Sequence, residues 1–175
     1  MPVGYWCPVL HAHLPYVRHP EYPEFLEEDW FFEALTETYV PLIIVLDGLQ
    51  ADGVDYRLTM TLSPPLLSMM SDALLLERYR RYLDRLIELA RREIERTREE
   101  APEFHELAKA YLHDCSRIRH VFVDTHGSNL IAAFRKHRDL GKLEILTCAA
   151  THGFLPLMDG VPQAVRAQVA VGVQH

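Results

Sequence analysis

The sequence predicts an α/β fold in which parallel strands alternate with helices. Three stretches have the character of short strands, namely residues 3–14, 55–62 and 143–150. The first is a mostly apolar run, typical of a strand buried on both faces of a parallel sheet, and the second alternates polar with apolar residues. Helical patterns separate the three, as in β/α architectures. A closed eight-fold barrel takes about 250 residues, so we expect these 175 residues to form part of one.

The first half of the chain contains two strands and a helical region between them. Pro8 weakens the start of strand one, because proline cannot donate a hydrogen bond to the ladder. After a loop over residues 19–29, apolar residues at helical spacing predict two helical pieces that meet at Pro41, with a kink or break just before it. Asp52-Gly53 then marks a turn into strand two.

The second half is mainly helical. Ser63-Pro64-Pro65 ends strand two and can begin a short helix, and an apolar stripe over residues 75–94 predicts a packed helix of about five turns. Further helices are expected over residues 104–122 and 130–140, the latter stopped by Gly141. Strand three follows, and a last helix over residues 162–175 would place four valines on one stripe: Val161, Val165, Val169 and Val173.

Composition excludes several classes of partner. The net charge of -7 argues against nucleic acid, which needs a concentrated basic face. The densest basic region, residues 78–98, alternates with acidic residues and indicates a solvated helix face with i,i+4 ion pairs. No apolar stretch approaches the roughly 18 residues of a membrane span. Three widely spaced cysteines favour neither a disulfide framework nor a cysteine-rich zinc site. We therefore expect the protein to be located in the reducing cytoplasm.

Three histidines form the candidate site. Side chains two apart on a strand point to the same face, so His11 and His13 lie together at the end of strand one, where a barrel has its active-site mouth. His152 follows strand three at the same end. Such imidazoles can donate hydrogen bonds to sugar hydroxyls, stabilise charge or bind a metal, and the spacing does not choose among these roles. Tyr16 and Trp30 could stack on sugar rings.

Four sequence blocks resemble the family-57 glycoside hydrolases, especially their glucan branching enzymes. The blocks are residues 11–16 (HAHLPY), 30–42 (WFFEALTETYVPL), 62–67 (LSPPLL) and 141–156 (GKLEILTCAATHGFLP). The likeness extends over nearly the whole chain, and the first and last blocks look like the first two signature regions of the family.

This resemblance implies an incomplete, seven-fold, TIM-like β/α barrel with helical insertions, which acts on α-1,4-glucans by a retaining mechanism. Residues 1–175 would be the N-terminal part of the catalytic barrel, without the rest of the barrel and a C-terminal helical domain. Two carboxylates, about 5 to 5.5 Å apart, perform retaining chemistry. The nucleophilic Glu and the acid/base Asp are expected beyond His175, since no Glu or Asp follows Asp159. We therefore assign no catalytic residue in this chain, and no metal or cofactor.

The resemblance also assigns the sugar-binding residues and the partner. His11, His13 and His152 would bind the sugar, with Tyr16 and Trp30 as further contacts, and an α-glucan such as amylose or a glycogen-like polymer would be the substrate. We expect a role in glycogen synthesis or related carbohydrate metabolism.

Several alternatives remain open. Within the family, the activity could be that of an α-amylase or a 4-α-glucanotransferase. A metal-dependent hydrolase could use His11, His13 and His152 as ligands. A non-catalytic glucan-binding protein is the third alternative, which the reading frame beyond His175 would test. Because strand edges are exposed where further strands should pair, the chain is also expected to self-associate.

Overall fold

The computed structural model describes residues 3–175 and contains three strands and seven α-helices within them. The strands are β1 (Val9–Ala12), β2 (Leu58–Leu62) and β3 (Leu143–Leu146). The α-helices are α1 (Leu26–Ala34), α2 (Val40–Ala51), α3 (Pro64–Met70), α4 (Ala73–Glu99), α5 (His105–His120), α6 (Leu130–Asp139) and α7 (Pro162–Gln174). Short 3-10 turns occur at Pro102–Phe104 and Leu155–Met158.

The three strands form one parallel sheet in the order β1-β2-β3, as the sequence predicts. Each strand is shorter than its predicted stretch. β1 begins at Val9, immediately after Pro8, because a proline nitrogen cannot enter the ladder. The register pairs Ala12 with Leu62 and Thr61 with Leu146, so all three strands end at the same edge of the sheet.

The two faces of the sheet differ in polarity. Ala12, Met60 and Leu62 point to one face, where their side chains are buried. The opposite face carries His11 and a set of half-buried or exposed residues: Val9, Thr59, Thr61, Glu144 and Leu146. The sequence predicts that strand one is buried on both faces, and this prediction is wrong for β1. Val9, on the second face, is 59% exposed.

The chain divides into two compact units. The first comprises residues 3–18, 46–71 and 131–175 and contains the sheet. Its core is formed by aliphatic, aromatic and methionine side chains from the strands and neighbouring helices: Ala12, Val17, Leu46, Met60, Leu62, Leu66, Met69, Met70, Ala133, Phe134 and Leu143. Burying these side chains provides the main stabilisation of the sheet.

The second unit comprises residues 19–45 and 72–130 and is helical. The predicted stripe on α4 is buried at Leu75, Tyr79, Leu83 and Ile87, as expected for a packed helix. Where the sequence predicts a kink or break just before Pro41, the structure has a π-helical turn over Leu35–Tyr39, which joins α1 to α2. A π-helical turn changes which backbone amides and carbonyls are hydrogen-bonded to each other, next to Pro41, which has no amide hydrogen.

The last helix does not bury the stripe that the sequence indicates. α7 forms where expected, but Val161, Val169 and Val173 are exposed by 48 to 72%. Val165, the fourth valine of the stripe, is half-buried, and the residues of α7 that hydrogen-bond to the loop after β3 include Gln168 and Gly172. Within residues 3–175, no helix has both the length and the apolar character needed to cross a membrane.

Candidate functional site

The parallel register places His13 beside Ser63 at the carboxyl end of the sheet. Because Ala12 pairs with Leu62, the next residue of each strand also lies side by side. The His13 ring nitrogen Nδ1 and the Ser63 hydroxyl are 2.8 Å apart, and the Ser63 amide donates to the Ala12 carbonyl at 3.1 Å. Ser63 is fully buried. This buried hydroxyl fixes the orientation of the His13 ring and leaves its Nε2 for a ligand.

The structure brings all three predicted histidines together. The His11 and His152 Nε2 atoms are 3.3 Å apart. The His152 ring stacks on both strand histidines, with centroids 4.8 Å from His11 and 3.8 Å from His13. His11 is exposed, whereas His13 and His152 are half-buried. We call these three side chains the histidine cluster.

His152 reaches the cluster from a strained turn. Its amide donates to the Ala149 carbonyl at 2.8 Å, and its φ of 57° lies in the left-handed region. Residues other than glycine rarely adopt this region, although histidine does so more often than most. The ring nitrogen Nδ1 of His152 lies 3.4 Å from the Cys148 sulfur. The turn therefore folds the chain back so that His152 covers the end of β1.

Burial and the neighbouring histidines favour the neutral form of the His13 ring. Burial is the main cause that lowers the pKa of His13, followed by the nearby charges that His152 and His11 would carry. Burial also raises the pKa of the Cys148 thiol, which keeps it protonated. Neutral imidazoles offer one donor and one acceptor each, which suits hydroxyl groups as partners.

The orientation of the rings bears on whether the cluster can bind a metal ion. Among residues 3–175, no three His, Cys, Asp or Glu side chains are arranged to hold a metal ion. The rings of His13 and His152 lie face to face, with planes only 30° apart. Ring nitrogens lie in the ring plane, so stacked rings do not direct their lone pairs to one point.

The two predicted aromatic contacts lie in different units. Tyr16 belongs to the first unit, three residues after His13, and is 56% exposed. Trp30 lies on α1 in the second unit and is 51% exposed. Among the described residues of the first unit, no ring contact joins Tyr16 to the cluster.

Sequence reasoning missed three residues that support the cluster. Ser63 could have been found by extending the strand register one step beyond β2. Cys148 precedes His152 by four residues, but a single cysteine carries no motif. Gln168, which holds the turn before His152, has no signal in the sequence because its contact depends on how α7 packs.

The second unit contains an apolar groove that is separate from the cluster. Its lining includes Leu86 and Leu89 from α4 and Tyr111 and Ile118 from α5. No histidine lines this groove. The cluster is the candidate site because it concentrates groups that can bind or polarise a ligand, whereas this groove mainly offers apolar surface.

Comparison with known proteins places the whole chain in one family. The model of the family described as Glycosyl hydrolase family 57 matches residues 9–174. The 1,4-alpha-glucan branching enzyme TK1436 of Thermococcus kodakarensis is 33% identical over 171 residues, which are 97% of this chain and 24% of that enzyme.

Solved structures give the same result. The alpha-amylase AmyC from Thermotoga maritima superposes with a TM-score of 0.90 and 49% identity, over 96% of this chain and 32% of that chain. A GH57-type branching enzyme from Pyrococcus horikoshii superposes with a TM-score of 0.89 and 31% identity, over 98% of this chain and 31% of that chain. The chain thus spans between a quarter and a third of the length of these relatives.

Proposed function

Because the chain belongs to glycosyl hydrolase family 57, we propose that it forms the N-terminal part of the catalytic barrel of an α-glucan-processing hydrolase or transferase. The observation that carries this proposal is the histidine cluster at the carboxyl edge of the sheet. Active sites of β/α barrels lie at this edge. The relatives named above are branching enzymes and an amylase, which supports an α-glucan as the substrate.

In this proposal the cluster forms one wall of the sugar site. The Nε2 atom of His13 has no hydrogen bond within the described residues and is directed to a sugar hydroxyl. His11 and His152 share one hydrogen bond, so a ligand hydroxyl can insert beside them without breaking a buried contact. Tyr16 and Trp30 are proposed as further contacts with the glucan.

The catalytic carboxylates are proposed to lie outside this chain. Retaining cleavage of α-1,4 bonds needs a nucleophile and an acid/base residue, and no acidic residue follows Asp159. Further strands would extend the sheet into an incomplete, seven-fold barrel. The polar face of the sheet, which carries His11, Thr59 and Thr61, would line its interior. Both edge strands, β1 and β3, would then gain partners.

Binding of maltoheptaose to the chain tests the sugar-binding role. We expect the ring signals of all three histidines to shift in NMR spectra on titration. His13→Ala should weaken binding by about two- to tenfold, because a ligand hydrogen bond contributes about 0.5 to 1.5 kcal/mol. His113→Ala, at an exposed position on α5, is the matched control and should bind normally. Binding that leaves the three rings unperturbed would overturn the assignment.

Branching activity is the first candidate for the whole enzyme, with transfer to a glucan 6-hydroxyl. Hydrolysis is the second candidate, favoured by the 49% identity to the amylase against 31 to 33% to the branching enzymes. The full-length enzyme should be incubated with amylose, and α-1,6 linkages formed should be counted against reducing ends released. Branching predicts an excess of new linkages, and hydrolysis predicts an excess of reducing ends.

One further proposal follows from the open sheet. The exposed edges of β1 and β3 should lead the chain to self-associate, which sedimentation would detect as species larger than 20.2 kDa.

A metal-dependent hydrolase remains the competing class, and a stoichiometric metal in the purified full-length enzyme that is lost on His11→Ala would support it instead. A cytoplasmic location and a role in glycogen synthesis also remain predictions.

A further inference from the structure

The side chain of Gln168 on α7 forms two hydrogen bonds with the residue that precedes His152. Its Oε1 accepts from the Thr151 amide at 2.9 Å, and its Nε2 donates to the Thr151 hydroxyl at 2.7 Å. One amide group thus pairs with both the backbone and the side chain of Thr151. Gln168 is half-buried, whereas Thr151 is exposed, so both bonds lie at the surface of the first unit.

The same face of α7 holds the rest of the loop that leads from β3 to His152. The Gln168 carbonyl accepts from the Ala150 amide at 3.0 Å, and the Thr147 hydroxyl donates to the Gly172 carbonyl at 2.9 Å. Gly172 lies one helical turn after Gln168 and is buried. A β-carbon at Gly172 would collide with the Cys148 carbonyl, so only glycine allows the helix to approach the loop this closely.

These contacts act on a residue whose backbone is strained. His152 has a φ of 57°, a conformation that persists only when its surroundings hold it. The hydrogen bonds from Ala150 and Thr151 to α7 fix the backbone immediately before His152. Without them, relaxation to an extended backbone would move the His152 ring away from His13.

We propose that Gln168 is a positioning residue that holds His152 in the histidine cluster through Thr151. Its effect on glucan binding rests on the function proposed above, whereas its effect on the His152 ring does not. Within the described residues, the hydrogen bonds of the Gln168 side chain go to Thr151 and none goes to a cluster ring, so we propose that it acts through the turn. This role would explain why α7 has a polar residue, Gln168, at a half-buried position while most of its valine stripe is exposed.

The test compares three variants of the full 175-residue chain by NMR. Gln168→Met keeps the length of the side chain and removes both hydrogen bonds. Gln168→Glu keeps an acceptor for the Thr151 amide and serves as the conservative rescue. Gln163→Met changes an exposed glutamine of the same helix and is the matched control.

In the wild type we expect a nuclear Overhauser effect between the His13 and His152 rings, whose centroids are 3.8 Å apart. Gln168→Met should abolish this effect and speed hydrogen exchange of the Thr151 amide at least about tenfold. Gln168→Glu should retain protection of that amide, and Gln163→Met should change neither signal. A Gln168→Met protein that keeps both signals would refute the proposal. Should that variant unfold, loss of Thr151 protection in a folded Gln168→Glu protein would refute it.

Titration with maltoheptaose then separates this proposal from the function on which it rests. If both are right, Gln168→Met binds about tenfold more weakly than the wild type and Gln163→Met binds as the wild type does. If the wild type does not bind maltoheptaose, the sugar-binding role fails, while the ring contacts and amide exchange still decide the role of Gln168.

Discussion

Replacing Arg78 with methionine should destabilise the second unit more than any change on the exposed face of α4. The Arg78 side chain is only 8% exposed, and that of its partner Glu28 is 1% exposed. The guanidinium Nη1 donates to both Glu28 carboxylate oxygens at 2.5 and 2.6 Å, and Nη2 donates to the Tyr22 carbonyl. The same carboxylate accepts from the His19 amide at 2.9 Å. This ion pair therefore connects α1, α4 and the loop before α1.

The expected loss follows from what Arg78→Met leaves behind. Glu28 would remain buried with only the His19 amide as a donor, and removing one partner of a buried ion pair costs about 3 to 5 kcal/mol. At 1.4 kcal/mol per factor of ten, the folding equilibrium should fall by roughly two to nearly four powers of ten. The double variant Arg78→Met/Glu28→Met buries no charge, so it should cost less than the sum of the two single changes.

Urea denaturation followed by circular dichroism measures all four proteins of this cycle. Arg92→Met is the control, because the Arg92–Glu88 pair lies on the same helix with side chains 73% and 51% exposed. Its stability should not change measurably, since exposed pairs contribute little. Additive effects of the two single changes, or a loss below about 1 kcal/mol for Arg78→Met, would show that the buried pair is not what holds these segments.

Three other changes test separate contacts. The pKa of His13 is lowered in the folded state, so its neutral form contributes stability that is complete above pH 6.5 and is lost as the pH falls from there through the lowered pKa. His13→Asn should therefore make the free energy of unfolding less dependent on pH in this range. The control His113→Asn should leave that dependence unchanged. Gly172→Ala should lower stability by about 1 to 3 kcal/mol through overpacking, visible as a lower melting temperature. Tyr56→Phe removes the hydroxyl 3.1 Å from Nδ1 of the buried His137 ring, and denaturant titration should show a loss of about 1 to 3 kcal/mol.

Local patterns in the sequence predicted the elements of the fold well. The stripe from Leu75 to Ile94 lies within α4, and the three strands have the predicted order along the chain and are parallel. The patterns were less exact at Pro41. The missing amide hydrogen indicates a kink or break just before this residue, where the structure has a π-helical turn and the helical path continues.

Contacts between distant segments could not be predicted from patterns in the sequence. Arg78 lies at the start of a basic run that is otherwise solvated, as predicted, and nothing in its neighbours shows that Glu28 would bury it. The proximity of His11 and His13 follows from strand alternation, which is a local rule. The contact of His152 with them needs a left-handed turn and the packing of α7, and these depend on residues far along the chain.

The lowered pKa of His13 bears on how the histidine cluster would serve a retaining enzyme. A general acid must hold its proton at neutral pH, and a positive charge beside a carboxyl group lowers its pKa. Burial and the mutual repulsion of His11, His13 and His152 disfavour a charge on His13, so the ring offers a hydrogen bond to a hydroxyl without adding positive charge. A lysine or arginine at the same place would bind hydroxyls too, but it would stay charged and favour loss of the proton from a nearby acid. Two imidazoles that both stack on His152 would therefore suit the sugar-binding wall we propose, in a site whose acid/base carboxyl we propose to be supplied by later strands.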